Sequence, residues 1–171
     1  MTTTLAGAMI RLRPATRADI PALVPIRRTP QVHARWRGGD DLEAAIEEDL
    51  DEADSTAYVI ELEDRVVGWI QWSAEEEPDY RHAMIDLYVD PAVHGRGVGT
   101  DAVRTMAAHL IDDHGHHRLE IDPAADNEPA IRCYAKVGFR PVGTLRRSER
   151  GGDGTWHDAL LMDLLAEELV R

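Results

Sequence analysis

The spacing of hydrophobic residues changes several times along the chain, and each change predicts a new structural element. Hydrophobic and polar residues alternate over Met9–Arg13, which predicts a strand, and residues 19–28 carry hydrophobic positions at helical spacing. A second helix is expected over residues 41–52, where a narrow hydrophobic stripe runs through a very acidic sequence. Residues 57–73 alternate on both sides of a turn at 63–65, which predicts an antiparallel hairpin.

Residues 82–90 form the most informative predicted strand. Its apolar residues fall mainly on one face, and Asp86 lies mid-strand on the other face. A glycine-rich turn then opens an amphipathic helix that ends near Gly115, and a strand follows at 118–122. Strand, crossover helix and strand form a βαβ unit, so the two strands are expected to be parallel and the crossover right-handed.

The last part of the chain predicts a helix followed by two strands. The helix is expected over residues 128–137 and the strands over 139–145 and 156–164, with a flexible loop at 148–154 between them. Together with the preceding elements, this order predicts an α+β fold with a mixed sheet.

Length and composition limit the class of protein. No linker or change of composition divides the chain, so we expect one domain over residues 1–171, with a flexible tail over residues 1–8. No apolar run approaches the roughly 20 residues of a membrane-spanning helix, which favours a soluble, cytoplasmic protein. Cys133 is the only cysteine, which excludes an internal disulfide and a multi-cysteine zinc site and agrees with a reducing compartment.

The charge of the chain favours a cationic partner. The formal net charge is −13, because 32 acidic residues outnumber 19 basic ones. Binding to phosphates requires a cluster of Lys and Arg, so nucleic acid and anionic membranes are disfavoured as partners.

A glycine-rich segment, VDPAVHGRGVGT, occupies residues 89–100 at the junction between a predicted strand and a predicted helix. Backbone N–H groups converge at such a helix start, and its positive end attracts phosphate oxygens. Glycine allows the backbone to approach a ligand closely. The segment therefore predicts a pyrophosphate site, with a plain tight turn before a helix as the alternative.

Two motifs resemble those of the GNAT superfamily of N-acetyltransferases. The acyl-CoA loop of that superfamily, Q/R-x-x-G-x-G/A, is matched at His94, Gly97 and Gly99, with histidine in place of the usual Gln or Arg. A second signature, N-x-x-A-x-x-x-Y-x-K-x-G-F, is matched at Asn127, Ala130, Tyr134, Lys136, Gly138 and Phe139. The opening IRLRPATRADIPAL and the segment VHARWRGG are most similar to the aminoglycoside 6'-N-acetyltransferase group.

The resemblance implies the GNAT fold and acetyl-CoA as the cofactor. In that fold a mixed central sheet of about seven strands with about four helices places two splayed parallel strands around the acyl-CoA site. The cofactor-binding residues that the resemblance implies are Leu87, Tyr88, Val89, His94, Gly95, Arg96, Gly97, Val98, Gly99, Thr100, Asn127, Ala130, Tyr134 and Lys136.

The resemblance also implies direct transfer of the acetyl group to an amine. An alkyl ammonium must lose a proton before it attacks, and Asp86 and Glu120 are the candidate bases. A backbone N–H within residues 87–89 is expected to stabilise the oxyanion, and Tyr134 is the expected general acid for the CoA thiolate. The alternatives stay open: Asp86 binds an ammonium by charge alone, Glu120 is an ordinary solvent-facing residue, and Tyr134 only packs.

The acceptor is predicted to be a small cationic amine, such as an aminoglycoside. Asp86, Glu120 and Asp122 are the expected substrate-binding carboxylates, and Trp36 either walls the acceptor pocket or fills the core. A protein N-terminal or lysine acetyltransferase and a non-catalytic acyl-CoA-binding regulator are the alternatives. A homodimer is left open.

Three further groups of side chains are predicted to have structural rather than catalytic or metal-binding roles. Cys133 is interpreted as a buried structural cysteine, because no activating base accompanies it. The histidines of residues 114–117 are interpreted as solvated groups at a helix end rather than metal ligands, and no metal is predicted. Trp69 and Trp72 are assigned to the core.

Overall fold

A mixed sheet of eight strands organises the computed structural model, which describes residues 3–36 and 38–171. Its strands are β1 (Leu5–Ala6), β2 (Ile10–Pro14), β3 (Ser55–Leu62), β4 (Arg65–Glu75), β5 (His82–Val89), β6 (Arg118–Ile121), β7 (Arg140–Arg150) and β8 (Trp156–Leu165). The α-helices are α1 (Ile20–Arg28), α2 (Pro30–His33), α3 (Leu42–Asp51), α4 (Val98–Asp112) and α5 (Glu128–Val137). Across the sheet the strands follow the order β1-β2-β3-β4-β5-β6-β8-β7.

The centre of the sheet contains its only parallel pair among the described residues. Strand β5 runs antiparallel to β4 over its whole length, from His82 to Val89. Its other neighbour, β6, is parallel and pairs with it at two positions only, Ala83 with Leu119 and Met84 with Glu120. Helix α4 connects the two strands, so the predicted βαβ unit is present.

Helices cover both faces of the sheet. On one face α4 buries Val103 and Met106 completely against the strands. On the other face Leu23 of α1 and Ile46 of α3 pack with Trp69 of β4, and all three side chains are fully buried. The assignment of Trp69 to the core is therefore correct. None of the described helices is long and apolar enough to cross a membrane.

The N-terminal segment is held by a buried carboxylate, whereas the sequence predicts a flexible tail over residues 1–8. Asp101 of α4 accepts hydrogen bonds of 3.0, 2.8 and 3.0 Å from the backbone N–H groups of residues 8–10. Leu5–Ala6 then pairs with β2 as an edge strand. The sequence does not predict this contact, because the carboxylate that accepts the hydrogen bonds lies more than 90 residues away along the chain. Residues 1 and 2 lie outside the described part.

The structure corrects the predicted loop after residue 147. Strand β7 continues to Arg150, so Ser148 and Glu149 belong to a strand rather than to the loop predicted at 148–154. The pairing of β7 with β8 shifts register between Leu145 and Glu149, and this bulge breaks the alternation that a sequence pattern detects.

The histidines of residues 114–117 are only partly solvated. His116 is 2% exposed and packs against Trp72, with ring centroids 6.2 Å apart. Burial lowers the pKa of His116 below its usual value. The prediction of a solvated side chain is wrong for His116 because Trp72 covers it, and Trp72 itself packs against the core as predicted.

Candidate active site

Strands β5 and β6 separate at the middle of the sheet and leave an opening. Their last paired residues are Met84 and Glu120, whereas β5 continues to Val89. The N–H of Asp90 bonds to the Val67 carbonyl of β4 at 2.7 Å, so even-numbered residues of this strand direct their N–H groups toward β4. By alternation, Leu87 and Val89 direct theirs into the opening.

Two contacts on the side of β5 that faces away from β4 agree with this orientation. The Leu87 N–H donates to Oδ1 of Asp86 at 3.0 Å, not to a neighbouring strand. The Val89 carbonyl accepts a 3.0 Å hydrogen bond from Nε2 of His94. Leu87 and Val89 therefore present backbone groups to the opening, whereas the backbone of Tyr88, which the resemblance also implies, faces β4.

The glycine-rich loop at residues 90–97 ends directly on helix α4. Gly95 and Gly97 have φ angles of +77° and +83°, a conformation that side chains with a Cβ rarely adopt. The first hydrogen bond of the helix runs from the Asp101 N–H to the Gly97 carbonyl at 3.0 Å. The N–H groups of residues 98–100 thus point out of the helix end, where the helix dipole favours an anion.

Helix α5 packs beside this helix end. The hydroxyl of Thr100 lies 3.0 Å from Sγ of Cys133, and a Cβ at Gly99 would lie 3.5 Å from the same sulfur. Burial raises the pKa of the Cys133 thiol above its usual value. A protonated, partly buried thiol that bonds to Thr100 agrees with the structural role predicted for Cys133.

The remaining residues predicted to bind the cofactor differ in their contacts. Asn127 caps α5 by accepting the Ala130 N–H at 3.4 Å, so its side chain is already used in the fold. Lys136 is exposed at the other end of α5. Arg96 lies 3.8 Å from the exposed carboxylate of Glu63, a weak surface pair that leaves its guanidinium accessible.

Tyr134 is buried between α5 and the sheet. It is 8% exposed, and its ring packs edge-on against Phe139 with a centroid separation of 6.5 Å. Burial first, and then the nearby Cys133, Asp86 and Asp122, raise the pKa of the phenol above its usual value. Its hydroxyl therefore keeps its proton at neutral pH and is able to donate it.

An acidic pocket of about 350 Å³ lies next to the opening. Its lining residues are Arg35, Trp36, Asp86, Asp122, Ser148, Glu149 and Ala159. We call this the acceptor pocket. Three of its side chains are carboxylates and one is an arginine, so the pocket carries a negative formal charge.

Asp86 lies on β5 beyond its last residue paired with β6 and lines the acceptor pocket. Its side chain is exposed to solvent at the pocket mouth, while the protein atoms around the pocket desolvate its carboxyl group. This desolvation, followed by repulsion from Asp122, raises the pKa of Asp86 to about 7, while the Leu87 N–H acts in the opposite direction. At neutral pH, Asp86 thus exists as a mixture of acid and carboxylate, as general-base catalysis requires.

Asp122 and Glu149 form the other acidic side of the pocket. Burial and the charge of Glu149 raise the pKa of Asp122 above its usual value. The sequence predicts Asp122 as the last residue of a strand at 118–122, and the structure places it directly after β6, which ends at Ile121. Glu149 was not predicted, because it comes from the bulged part of β7 that the pattern indicated to be a flexible loop.

Glu120 does not line the acceptor pocket. Its carboxylate accepts a 2.6 Å hydrogen bond from Arg118, which also contacts Asp163 at 3.2 Å. Its position on the sheet face is as predicted, but an arginine already satisfies its charge. The carboxylates that line the acceptor pocket are therefore Asp86, Asp122 and Glu149, and Glu120 lies outside it.

The segment after α2 forms the remaining wall. Trp36 lines the pocket and packs edge-on against Tyr88 of β5 with ring centroids 4.9 Å apart, so it contributes both to the pocket wall and to the packing of the core. Arg35 forms a 3.2 Å ion pair with Asp126, which connects this segment to the loop after β6. Arg37, in the same predicted motif, lies outside the described residues.

Comparisons with known proteins agree with this arrangement. The model of the acetyltransferase (GNAT) family matches residues 23–139. Aminoglycoside N(6')-acetyltransferase type 1 from Klebsiella pneumoniae is 27% identical over 155 residues, which cover 80% of this chain and 76% of that protein. The predicted fold, the cofactor acetyl-CoA and the enzymatic class of N-acetyltransferase are confirmed.

Solved structures give the same fold. RimJ from Mycobacterium smegmatis, in complex with CoA-disulfide, superimposes with a TM-score of 0.85 at 27% identity, covering 99% of this chain and 90% of that chain. RimL, a ribosomal L7/L12 alpha-N-protein acetyltransferase in complex with coenzyme A, gives a TM-score of 0.79 at 16% identity, covering 95% of this chain and 98% of that chain.

The glycine loop yields a direct test of the cofactor site. Gly97→Val should weaken acetyl-CoA binding at least about tenfold, because a branched side chain both strains the positive φ and stands where the pyrophosphate approaches. Isothermal titration calorimetry measures the affinity. Gly143→Val is the matched control, since a Cβ at Gly143 meets nothing within 4 Å. Parental affinity in the Gly97 variant would show that the cofactor binds elsewhere.

Proposed function

Because the chain belongs to the acetyltransferase (GNAT) family, we propose that it transfers the acetyl group of acetyl-CoA to a primary amine of a small polycationic acceptor. The observation that carries this proposal is the acceptor pocket, in which Asp86, Asp122 and Glu149 lie together beside the strand opening. The aminoglycoside N(6')-acetyltransferase from Klebsiella pneumoniae, similar over most of its length, is consistent with such an acceptor.

Electrostatics supports a cation in this pocket. Burial is the main cause of the raised pKa values of Asp86 and Asp122, and repulsion adds to it, from Asp122 and Glu149 at Asp86 and from Glu149 at Asp122. Among the described residues, no basic side chain that lines the pocket forms an ion pair with these carboxylates. Arg35 is directed to Asp126 instead. An acceptor with spaced ammonium groups relieves this repulsion, and the net charge of −13 raises the local concentration of cations.

Asp86 is the proposed general base. An alkyl ammonium with a pKa near 10 has no lone pair until it loses a proton. With its own pKa at about 7, Asp86 is ionised in part at neutral pH and accepts that proton, directly or through one water. The remaining carboxylates, Asp122 and Glu149, then hold the other ammonium groups of the acceptor.

The neutral amine attacks the thioester carbon, and negative charge develops on the carbonyl oxygen. Backbone N–H groups of Leu87 and Val89 face the strand opening and are the proposed donors to this oxyanion. Collapse of the tetrahedral intermediate breaks the carbon–sulfur bond, and Tyr134 donates its proton to the leaving CoA thiolate. The attacking nitrogen then loses its second proton, which passes through water to restore the Tyr134 hydroxyl, while Asp86 returns the first proton to solvent. The products are an amide and CoA.

Acetylation of a protein N-terminus is the second candidate. RimL, a ribosomal L7/L12 alpha-N-protein acetyltransferase, shares this fold. A peptide acceptor requires an open groove that admits an extended chain, whereas the three carboxylates of the acceptor pocket are more suitable for a small cation.

The charge of the pocket generates a prediction about acceptor affinity. Asp122→Asn and Glu149→Gln should each raise the KM for a polyamine or aminoglycoside by about three- to thirtyfold, because each removes one charge partner of an ammonium group. The loss should shrink at high salt. Steady-state thiol-release kinetics with saturating acetyl-CoA measures both effects.

Glu120→Gln serves as the control for these variants, since Glu120 carries the same charge on the same sheet but bonds to Arg118 outside the pocket. Its KM should remain close to that of the parent. Equal effects of all three substitutions on KM would show that only the net charge of the protein matters. Unaltered kinetics of the Asp122 and Glu149 variants would refute a cationic acceptor in this pocket.

The proton donor can be tested separately. Tyr134→Phe should lower kcat about tenfold to a thousandfold, the usual range for loss of a general acid, while acetyl-CoA affinity changes little. Single-turnover kinetics isolates the chemical step. Tyr80→Phe, at a tyrosine that is 74% exposed, is the matched control. An unchanged chemical rate would leave Tyr134 with a packing role alone.

A further inference from the structure

One hydrogen bond in the active site joins the proposed base to the proposed oxyanion donor. The N–H of Leu87 donates to Oδ1 of Asp86 at 3.0 Å. This N–H belongs to the row that faces the opening between β5 and β6, where it has no strand partner because β6 pairs only as far as Met84. The carboxylate of the preceding residue occupies it instead.

The Leu87 N–H therefore has two acceptors that compete for it. Before reaction its partner is the ionised carboxylate of Asp86, and charge-assisted bonds of this kind are about twice as strong as neutral ones. In the transition state the partner must be the developing oxyanion of the thioester. A single N–H cannot satisfy both acceptors at full strength.

We propose that Asp86 is a latch on the oxyanion donor: its carboxylate holds the Leu87 N–H, and proton uptake from the acceptor ammonium releases that N–H to the thioester oxygen. The inference rests on the proposed role of Asp86 as the base. It adds a coupling, since the same proton transfer that produces the nucleophile also completes the oxyanion site.

The proton balance of this step is simple. The proton moves from the ammonium nitrogen to a carboxylate oxygen of Asp86, which yields a neutral amine and a neutral carboxyl group. A neutral carboxyl group accepts a hydrogen bond more weakly than a carboxylate does, so the Leu87 N–H becomes available. The subsequent attack forms the carbon–nitrogen bond and places the negative charge on the oxygen next to that N–H.

The surroundings of Asp86 make its protonation responsive to the acceptor. Charged groups act on it from three elements besides its own strand: Asp122 after β6, Glu149 on β7 and Asp49 on α3. Arg35, in the segment after α2, also lines the pocket. On β4 the residue opposite Asp86 is Gln71, which does not titrate. The three carboxylates favour the protonated, released form of the latch, whereas a bound polycation offsets them until one amine gives up its proton.

Two substitutions of Asp86 separate the latch from the base. Asn retains a carbonyl oxygen that holds the Leu87 N–H but cannot take up a proton, whereas Ala removes both functions. At about pH 10 the acceptor amine arrives largely deprotonated, so a base is no longer required. There we expect the single-turnover rate of Asp86→Ala to exceed that of Asp86→Asn by about tenfold or more, less than the roughly hundredfold or greater loss when an oxyanion donor is removed outright, because the Asn oxygen only competes for the N–H. At about pH 7 both variants should be slow, since both lack the base.

The outcomes distinguish the possible failures. Equal rates of the Asn and Ala variants at high pH, with both slow at neutral pH, would refute the latch and keep the base. Parental rates of both variants at neutral pH would refute the base, and with it the premise of the latch.

A spectroscopic arm tests the latch without catalysis and in the intact parent chain. The amide proton shift of Leu87 should titrate together with the Asp86 carboxyl group and move toward the value of a weaker hydrogen bond on acidification. In Asp86→Asn this titration should disappear. A Leu87 amide that does not respond while the Asp86 carboxyl titrates would overturn the proposal.

Discussion

The short pairing of the parallel strands β5 and β6, at only two positions, creates the opening on which the rest of the candidate active site depends. Beyond Met84 and Glu120, β5 has no partner on one side, and its backbone donors face an opening instead. Helix α4, which connects these strands, starts at the same edge with its glycine turn and free N–H groups. Because both features follow from one βαβ unit, the fold itself brings together the helix start and the strand opening, where we propose that the pyrophosphate and the acetyl group bind.

The same opening explains the unusual electrostatics of the acceptor side. Carboxylates on a paired strand face would be solvated or bridged, as Glu120 is by Arg118. At the opening, Asp86 lies beside Asp122 and Glu149, and burial adds to their repulsion. When folding raises the pKa of a carboxyl group, the free energy of unfolding falls as the pH rises above the pKa of that group in the unfolded chain, which is about 4. The raised pKa that suits Asp86 for proton transfer therefore lowers the stability of the fold at neutral pH.

Periodicity predicted the local elements well, because the alternation on β5 and the glycines at 95–99 are short-range signals. It located Asp86 mid-strand and placed Asp122 at the end of the strand that follows α4, one residue beyond the observed end of β6. It did not predict Glu149, since the bulge in β7 interrupts the alternation, nor the ion pair that removes Glu120 from the pocket. Both depend on contacts between distant parts of the chain, which a single sequence does not display.

The central claim is that Asp86, held at the strand opening, accepts the proton of a cationic amine. The most direct measurement is kcat/KM for the acceptor as a function of pH, at saturating acetyl-CoA, in the parent and in Asp86→Asn. Because kcat/KM reports the free enzyme, the account predicts that it falls below a pH of about 7 in the parent and that this limb is lost in the variant. A limb near that pH that persists unchanged in Asp86→Asn, or a parent profile without one, would contradict it.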